Sequence, residues 1–329
     1  MKILKNSNAW KKNHDLTGKT YGLLKVLEFK GFKKLYDKGG KRRSHFLCKC
    51  KCGKEKIIPG IQLHNGQVKS CGTCLIHPKY KIDENYFKKI NREDKAYFFG
   101  LLLTDGTIDG QKKSKRIVIS LDKKDSHILE TFNRYLKTQK PVSYTKRKAR
   151  KYKYYNYPAR EYCTLNISNV KMHKDIIKLG LKPNKTKTVK FPSNKIIPHR
   201  LMRHFIRGVF DGDGSVFLKK YSYGIGKSLA FVSGSFLFMK SFQRYLKKYK
   251  IANTSVALIK RKSKFTGNIS SYSTLTINPG EKKYGNKGTK DKKIVALNYK
   301  NFFNLIYKNC SKDLYLIRKY NKFKEVINI

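Results

Sequence analysis

Acidic residues are scarce in this chain. Asp and Glu total 21 against 76 Lys and Arg, for a formal charge of +55 over 329 residues. A chain so short of its own counter-charge repels itself and calls for a polyanion, and nucleic acid phosphate is the most economical one. Long apolar runs are absent too. No stretch approaches the length that spans a bilayer, which excludes an integral helical membrane protein. Met1-Lys2-Ile3-Leu4-Lys5-Asn6-Ser7-Asn8 lacks the apolar stretch of a signal peptide. The expected setting is intracellular and reducing: cytoplasm, or the nucleoid if bacterial or phage-encoded. Cysteines are few, and five of the seven fall between 48 and 74. That clustering excludes a disulfide framework for the whole chain. No Cys, Ser or Thr opens the chain and no His-Asn closes it, which argues against an embedded intein.

The cysteines present form two tight groups, Cys48-Lys49-Cys50-Lys51-Cys52-Gly53 and Cys71-Gly72-Thr73-Cys74. Soft thiolates suit a structural tetrahedral Zn²⁺, and glycine after a ligand lets backbone NH groups approach sulfur. Such a site compensates for the small core that about 75 residues can build. Five cysteines compete for four places. Cys50, Cys52, Cys71 and Cys74 are favoured because the first two adjoin the glycine turn, with Cys48 as the alternative to Cys50. Cys163 precedes an alternating Thr-Leu-Asn-Ile pattern and reads as a small strand residue, whereas Cys310 is isolated.

Beyond Pro78 the chain repeats itself. Tyr97-Phe98-Phe99-Gly100-Leu101-Leu102-Leu103-Thr104-Asp105-Gly106 is matched by Phe205-Ile206-Arg207-Gly208-Val209-Phe210-Asp211-Gly212-Asp213-Gly214. Thr131-Phe132-Asn133-Arg134-Tyr135-Leu136 returns as Ser241-Phe242-Gln243-Arg244-Tyr245-Leu246, and the strand pattern Cys163–Ser168 as Ser273–Asn278. Offsets of 108 to 110 residues at three places mark an internal duplication of a mixed helix–strand unit. Each copy begins with a short apolar helix ending in an acid and a glycine. The first helix is expected to stop on a left-handed Gly106. Asp83–Ile90 also reads as helical. The basic stretch 145–157 reads as a DNA-facing hairpin, with Lys146, Arg147, Lys148, Arg150, Lys151 and Lys153 as contacts. Lys260, Arg261, Lys262 and Lys264 occupy the matching interval of the second copy. The loop 279–293, rich in Gly, Lys and Asn, reads as mobile in the absence of DNA. Three segments follow: a small amino-terminal module over 1–78, a first repeat over 79–195 and a second over 196–329.

The two acid-terminated helices, with Leu179-Gly180-Leu181-Lys182-Pro183-Asn184-Lys185 closing the first repeat and Leu314-Tyr315-Leu316-Ile317-Arg318-Lys319 near the carboxyl end, resemble the LAGLIDADG homing endonucleases over about residues 83–326. The amino-terminal module resembles the zinc-ribbon-like DNA-binding domains of phage and mobile-element nucleases. The residues carrying that likeness are Leu16-Thr17-Gly18, Gly22, Cys50-Lys51-Cys52-Gly53 and Ser70-Cys71-Gly72; Thr73 departs from the pattern. The resemblance implies an α+β fold, a duplicated αββαββα core whose two curved sheets form a saddle over DNA, plus the small zinc-binding domain. It implies that Gly100 and Gly208 let the helices meet, that Asp105 and Asp213 hold catalytic Mg²⁺, and that Lys185 and Lys319 assist. Asp211, where the first copy has Leu103, is read as a local cap or supporting residue. The implied activity is site-specific, metal-dependent double-strand DNA cleavage at a long asymmetric target. It would be carried out by a monomer in a mobile genetic element, leaving short 3′ overhangs. A cleavage-inactive DNA-binding regulator and an intron RNA maturase are the alternatives.

Overall fold

The computed structural model describes residues 15–34, 42–72, 80–110, 115–152, 155–221, 224–251, 254–262, 267–278 and 297–328. The expected contacts Lys153 and Lys264, the expected ligand Cys74 and the loop 279–293 lie outside these residues. The chain divides into two compact units, Met1–Lys81 and Ile82–Ile329. No helix among the described residues is long and apolar enough to cross a membrane.

The first unit is a four-stranded antiparallel sheet in chain order: β1 Thr20–Tyr21, β2 Leu24–Lys34, β3 Arg42–Cys50 and β4 Glu55–Pro59. The short helix α1, Gly60–His64, follows. Leu16, Leu24, Val26, Phe46, Ile58 and Leu63 form a core too small to stabilise much chain by itself.

The second unit contains the core order αββαββα twice. In the first repeat, helix α2 (Glu93–Thr104) leads into β5 (Gly106–Ile108) and β6 (Arg116–Asp122). Helix α3 (Ser126–Tyr135), strands β7 (Ser143–Arg147), β8 (Arg150–Tyr152), β9 (Tyr155–Tyr157) and β10 (Arg160–Ser168), and helix α4 (Val170–Lys178) complete it. The second repeat runs α5 (His199–Asp213), β11 (Gly214–Tyr221), β12 (Gly224–Ser233), α6 (Phe236–Lys247), β13 (Thr254–Lys262), β14 (Ile269–Ile277) and α7 (Leu297–Tyr307), and ends in α8 (Ile317–Asn328). Each repeat builds one four-stranded antiparallel sheet, in the orders β5-β6-β10-β7 and β11-β12-β14-β13, and β8 and β9 pair as a separate two-stranded hairpin. Alternation assigns the faces. Ile117, Ile119, Leu121, Leu165 and Ile167 are buried against helices, as are Leu229, Phe231, Leu275 and Ile277. The intervening residues leave the opposite face of each sheet open.

The fold is therefore α+β, with a duplicated αββαββα core. Two local expectations fail. Residues 84–88 form turns and not a helix, because Tyr86 and Phe87 insert edge-on into the core against Phe132. Gly106 is not a left-handed stop. Helix α2 ends at Thr104, Asp105 keeps right-handed backbone angles (φ −86°, ψ −6°), and Gly106 opens β5. Glycine is required there because a Cβ would lie 2.4 Å from the Leu102 carbonyl oxygen.

Helices α2 and α5 cross with their backbones in contact. A Cβ on Gly100 would sit 2.2 Å from the Phe205 carbonyl oxygen, and one on Gly208 2.1 Å from that of Tyr97. Both clashes are with backbone, so no side-chain rotation relieves them. Gly100→Ala and Gly208→Ala are each expected to destabilise the protein by roughly 1–3 kcal/mol or more, the usual cost of overpacking. Calorimetry or denaturant unfolding measures this, and two unchanged unfolding midpoints would show that the crossing is looser than described.

Candidate functional site

Helix geometry places the acids. Asp105 is the residue after the last turn of α2 and Asp213 is the last residue of α5. The glycine crossing puts the two helix ends side by side. Gly212 continues the close approach: a Cβ there would lie 1.9 Å from Thr104 Oγ1 and 3.0 Å from Asp105 Oδ2. Burial raises the Asp105 carboxyl above its ordinary range, with Lys319 and Lys185 pulling against the rise. Asp213 retains solvent access at its side chain. Even so, displacement of water by the crowded helix ends, with the facing Asp105 charge, pushes it up to about 6. Two carboxylates that resist sharing one negatively charged spot make a natural seat for a cation.

The two lysines bind matched carbonyls. Lys185 Nζ donates to the carbonyl of Gly106, and Lys319 Nζ donates to that of Gly214 at 2.6 Å. In each repeat this carbonyl follows directly after the acid. Lys319 also donates to the carbonyls of Phe210 (2.8 Å) and Asp211 (2.6 Å), and so caps the end of α5. Burial lowers both ammonium groups, Lys319 to about 8, while the acids counteract the shift.

Asp211 does not join the acid pair. It is buried, and its Oδ2 accepts from Tyr97 Oη at 2.7 Å and from the Leu316 amide at 2.9 Å. Burial pushes it up to about 6. Nearby, the fully buried Arg207 donates to the carbonyls of Leu314 (2.7 Å) and Ile306 (2.9 Å) and to Glu93 Oε1 (2.8 Å). Burial raises Glu93, but the Ser311 amide and the Arg207 charge outweigh it and hold the carboxyl below its usual range. Burial and the Arg207 charge lower His204 to about 4, so it is neutral near pH 7. Its Nδ1 accepts from Arg207 at 2.9 Å, and its 3.4 Å approach to Glu93 is not an ion pair. Arg318 pairs with Asp125 through bonds of 2.8–2.9 Å. These cross-repeat contacts escaped the sequence reading. The available signal was an Arg in the middle of the apolar run Phe205–Phe210.

The expected DNA contacts Lys146 and Arg147 lie in β7, and Lys148 in the turn after it. Arg150 and Lys151 begin β8, and Lys260, Arg261 and Lys262 end β13; all are exposed. Arg147 lies over the Tyr157 ring, 5.6 Å from its centroid.

In the first unit, Leu23 joins both cysteine groups. Its amide donates to the Lys69 carbonyl (2.7 Å) and its carbonyl accepts from the Lys51 amide (2.8 Å). Gly22, at φ +61°, permits this, since a Cβ would meet the Lys69 carbonyl oxygen at 2.6 Å. Cys50, Cys52 and Cys71 therefore converge, their Sγ atoms all within 4.8 Å of one another and those of Cys52 and Cys71 3.5 Å apart. That spacing suits thiolates around one tetrahedral Zn²⁺, whose Zn–S bonds are about 2.3 Å. Cys48 sits in the apolar core with its Sγ toward the Phe46 carbonyl (3.6 Å), and burial raises its thiol. The geometry thus separates Cys48 from Cys50, which sequence spacing left open.

Residues 92–177 match the family described as the LAGLIDADG-like domain. The match spans helix α2 through helix α4, the first repeat. Solved structures similar to this chain include the homing endonuclease I-WcaI bound to its DNA recognition sequence. It shares 13% identity, with a TM-score of 0.45, over 73% of this chain and 91% of that one. The I-LtrWI LAGLIDADG homing endonuclease bound to target DNA gives 12% identity and a TM-score of 0.39, over 75% and 91%. At such values these likenesses assign no activity. No curated protein matches the chain significantly.

Two outcomes test the geometry. Zinc analysis of purified protein should give about one ion per chain; Cys50→Ser and Cys71→Ser should lose it, and Cys48→Ser should keep it. Zinc retained by the first two variants would exclude that ligand set. The second outcome concerns metal-free stability. Asp213 is raised from an ordinary 3.8 to about 6 in the fold, so the fold binds the extra proton and loses stability as pH rises through that window. Asp213→Asn should therefore stabilise the metal-free protein at pH 7 by roughly 1 kcal/mol, after allowing for solvent screening, and change little at pH 4. A stabilisation that is equal at both pH values would contradict the crowded-carboxylate account.

Proposed function

We propose that this protein is a site-specific, metal-dependent double-strand DNA endonuclease. The observation that carries this reading is the pair Asp105 and Asp213. Each ends one of two helices in backbone contact, each adjoins a carbonyl held by a half-buried lysine, and the chain around them is strongly basic.

The chemistry follows from this arrangement. The carboxylates of Asp105 and Asp213 fit the hard-oxygen preference of Mg²⁺. When bound, Mg²⁺ acidifies water and offsets charge on the phosphate and the leaving oxygen. Lys185 and Lys319 fix the turns that carry the acids and hold positive charge beside the phosphates. One acid comes from each repeat, so each repeat serves one DNA strand and a single chain suffices for both cuts. Because the two repeats differ in sequence, the target is asymmetric. The exposed Lys146, Arg147, Lys260, Arg261 and their neighbours supply phosphate contacts. The amino-terminal unit, with Zn²⁺ as its structural metal, adds a further DNA contact. A catalytically inactive regulator of the same fold would bind the same DNA without cutting it.

Cleavage selection from a randomised duplex library with Mg²⁺ should recover one target class cut once on each strand. Asp105→Asn and Asp213→Asn should each reduce cutting at least about a hundredfold, the scale for loss of a metal or charge-stabilising group at a reacting phosphate. Specific binding without cleavage would favour the regulator. Unchanged cutting by both variants would exclude these acids from catalysis.

A further inference from the structure

The open faces of the two sheets are laid out in the same register but differ in chemistry. In the first sheet, Thr164 on β10 lies between Ser143 and Ser120, and Tyr162 lies opposite Thr145. In the second, Thr274 on β14 lies between Ala257 and Val232, and Tyr272 lies opposite Ile259. The Thr and Tyr on the inner strand are common to both. Each flanking hydroxyl of the first sheet is replaced by an aliphatic group in the second: Ser143 by Ala257, Ser120 by Val232, Thr145 by Ile259. The first row is joined by a hydrogen bond, Ser120 Oγ to Thr164 Oγ1 at 2.9 Å. The second row offers only methyl groups beside its threonine, and Val232 is 43% exposed.

Exposed aliphatic rows are costly unless something apolar covers them. The surroundings say what kind of partner that is. One row further along on the same face, the exposed Arg261 lies opposite Ser270. The first sheet has Arg147 opposite Arg160 at the same place. A methyl-lined strip edged by arginine complements a groove that is anionic at its rim and apolar at its floor. The major groove of duplex DNA fits when its floor carries thymine C5-methyl groups. The hydroxyl-lined strip of the first sheet instead suits hydrogen bonding to base edges.

We infer that Val232, Ala257 and Ile259 make the half-site under the second repeat a thymine-methyl-read half-site, while the half-site under the first repeat is read through hydrogen bonds. This rests on the proposed action on duplex DNA and adds to it which bases each half selects and by what group.

The test uses the full-length protein and a library of random duplexes, enriched for binding in the presence of Ca²⁺. In the recovered target, thymine is replaced by deoxyuridine, which lacks only the C5-methyl, in one half at a time. Substitution in one half should weaken binding about tenfold, the order expected for two or three lost apolar contacts. Substitution in the other half should change it less than about twofold. The double variant Val232→Ser/Ile259→Thr, which installs the first sheet's residues, should abolish the deoxyuridine penalty and thereby identify the sensitive half as the one under the second repeat. Equal penalties in both halves, or a penalty that the variant leaves intact, would overturn the inference while leaving specific duplex binding in place. If no sequence is enriched, both this inference and the reading beneath it fall. If the variant instead dissolves a dimer seen in sedimentation, the strip serves a second copy of the chain and the inference fails.

Discussion

The backbone contact between helices α2 and α5 is the constraint on which the rest of the second unit depends. Gly100 and Gly208 remove the two side chains that would separate the helices. Everything downstream is then fixed by helical rise. Asp105 lies five residues beyond Gly100 and Asp213 five beyond Gly208, so both acids emerge at the same height. The strands that begin at Gly106 and Gly214 start there too, which sets both sheets relative to the acids.

Holding two carboxylates together is unfavourable, and the fold offsets that cost locally. Lys185 and Lys319 approach from the segments that close their respective repeats and tie down the carbonyls of Gly106 and Gly214. Each lysine therefore stiffens the turn that aims an acid and also supplies positive charge next to it. Burial lowers both ammonium groups, and the neighbouring acids pull them back up. The four groups behave as one electrostatic unit, and replacing any member changes the others.

Much of this was legible in the sequence, because it depends on local pattern. The duplication, the two acid-terminated helices and the alternating strands follow from periodicity alone. The cysteine groups were also visible, but Cys48 and Cys50 share one face of β3, so alternation has no means of choosing between them. The choice is made by Leu23, whose two backbone bonds draw Lys51 and Lys69 together. Residues 84–88 misled for a similar reason: aromatic side chains at helical spacing are equally consistent with a turn that plugs a core. The cross-repeat network was illegible, since Glu93, Arg207 and Ser311 are far apart in sequence and meet only through the crossing.

That network is not symmetric. At the positions of Tyr97 and Glu93 the second repeat has Phe205 and Leu201, and at those of Arg207 and Asp211 the first repeat has Phe99 and Leu103. Two copies of the second repeat brought together would each bury a guanidinium and a carboxylate with no partner across the interface, which is strongly unfavourable. Two copies of the first would forgo the hydrogen bonds altogether. The halves are thus complementary: the contacts at the crossing favour mate over twin, and the covalent link joins surfaces that already differ.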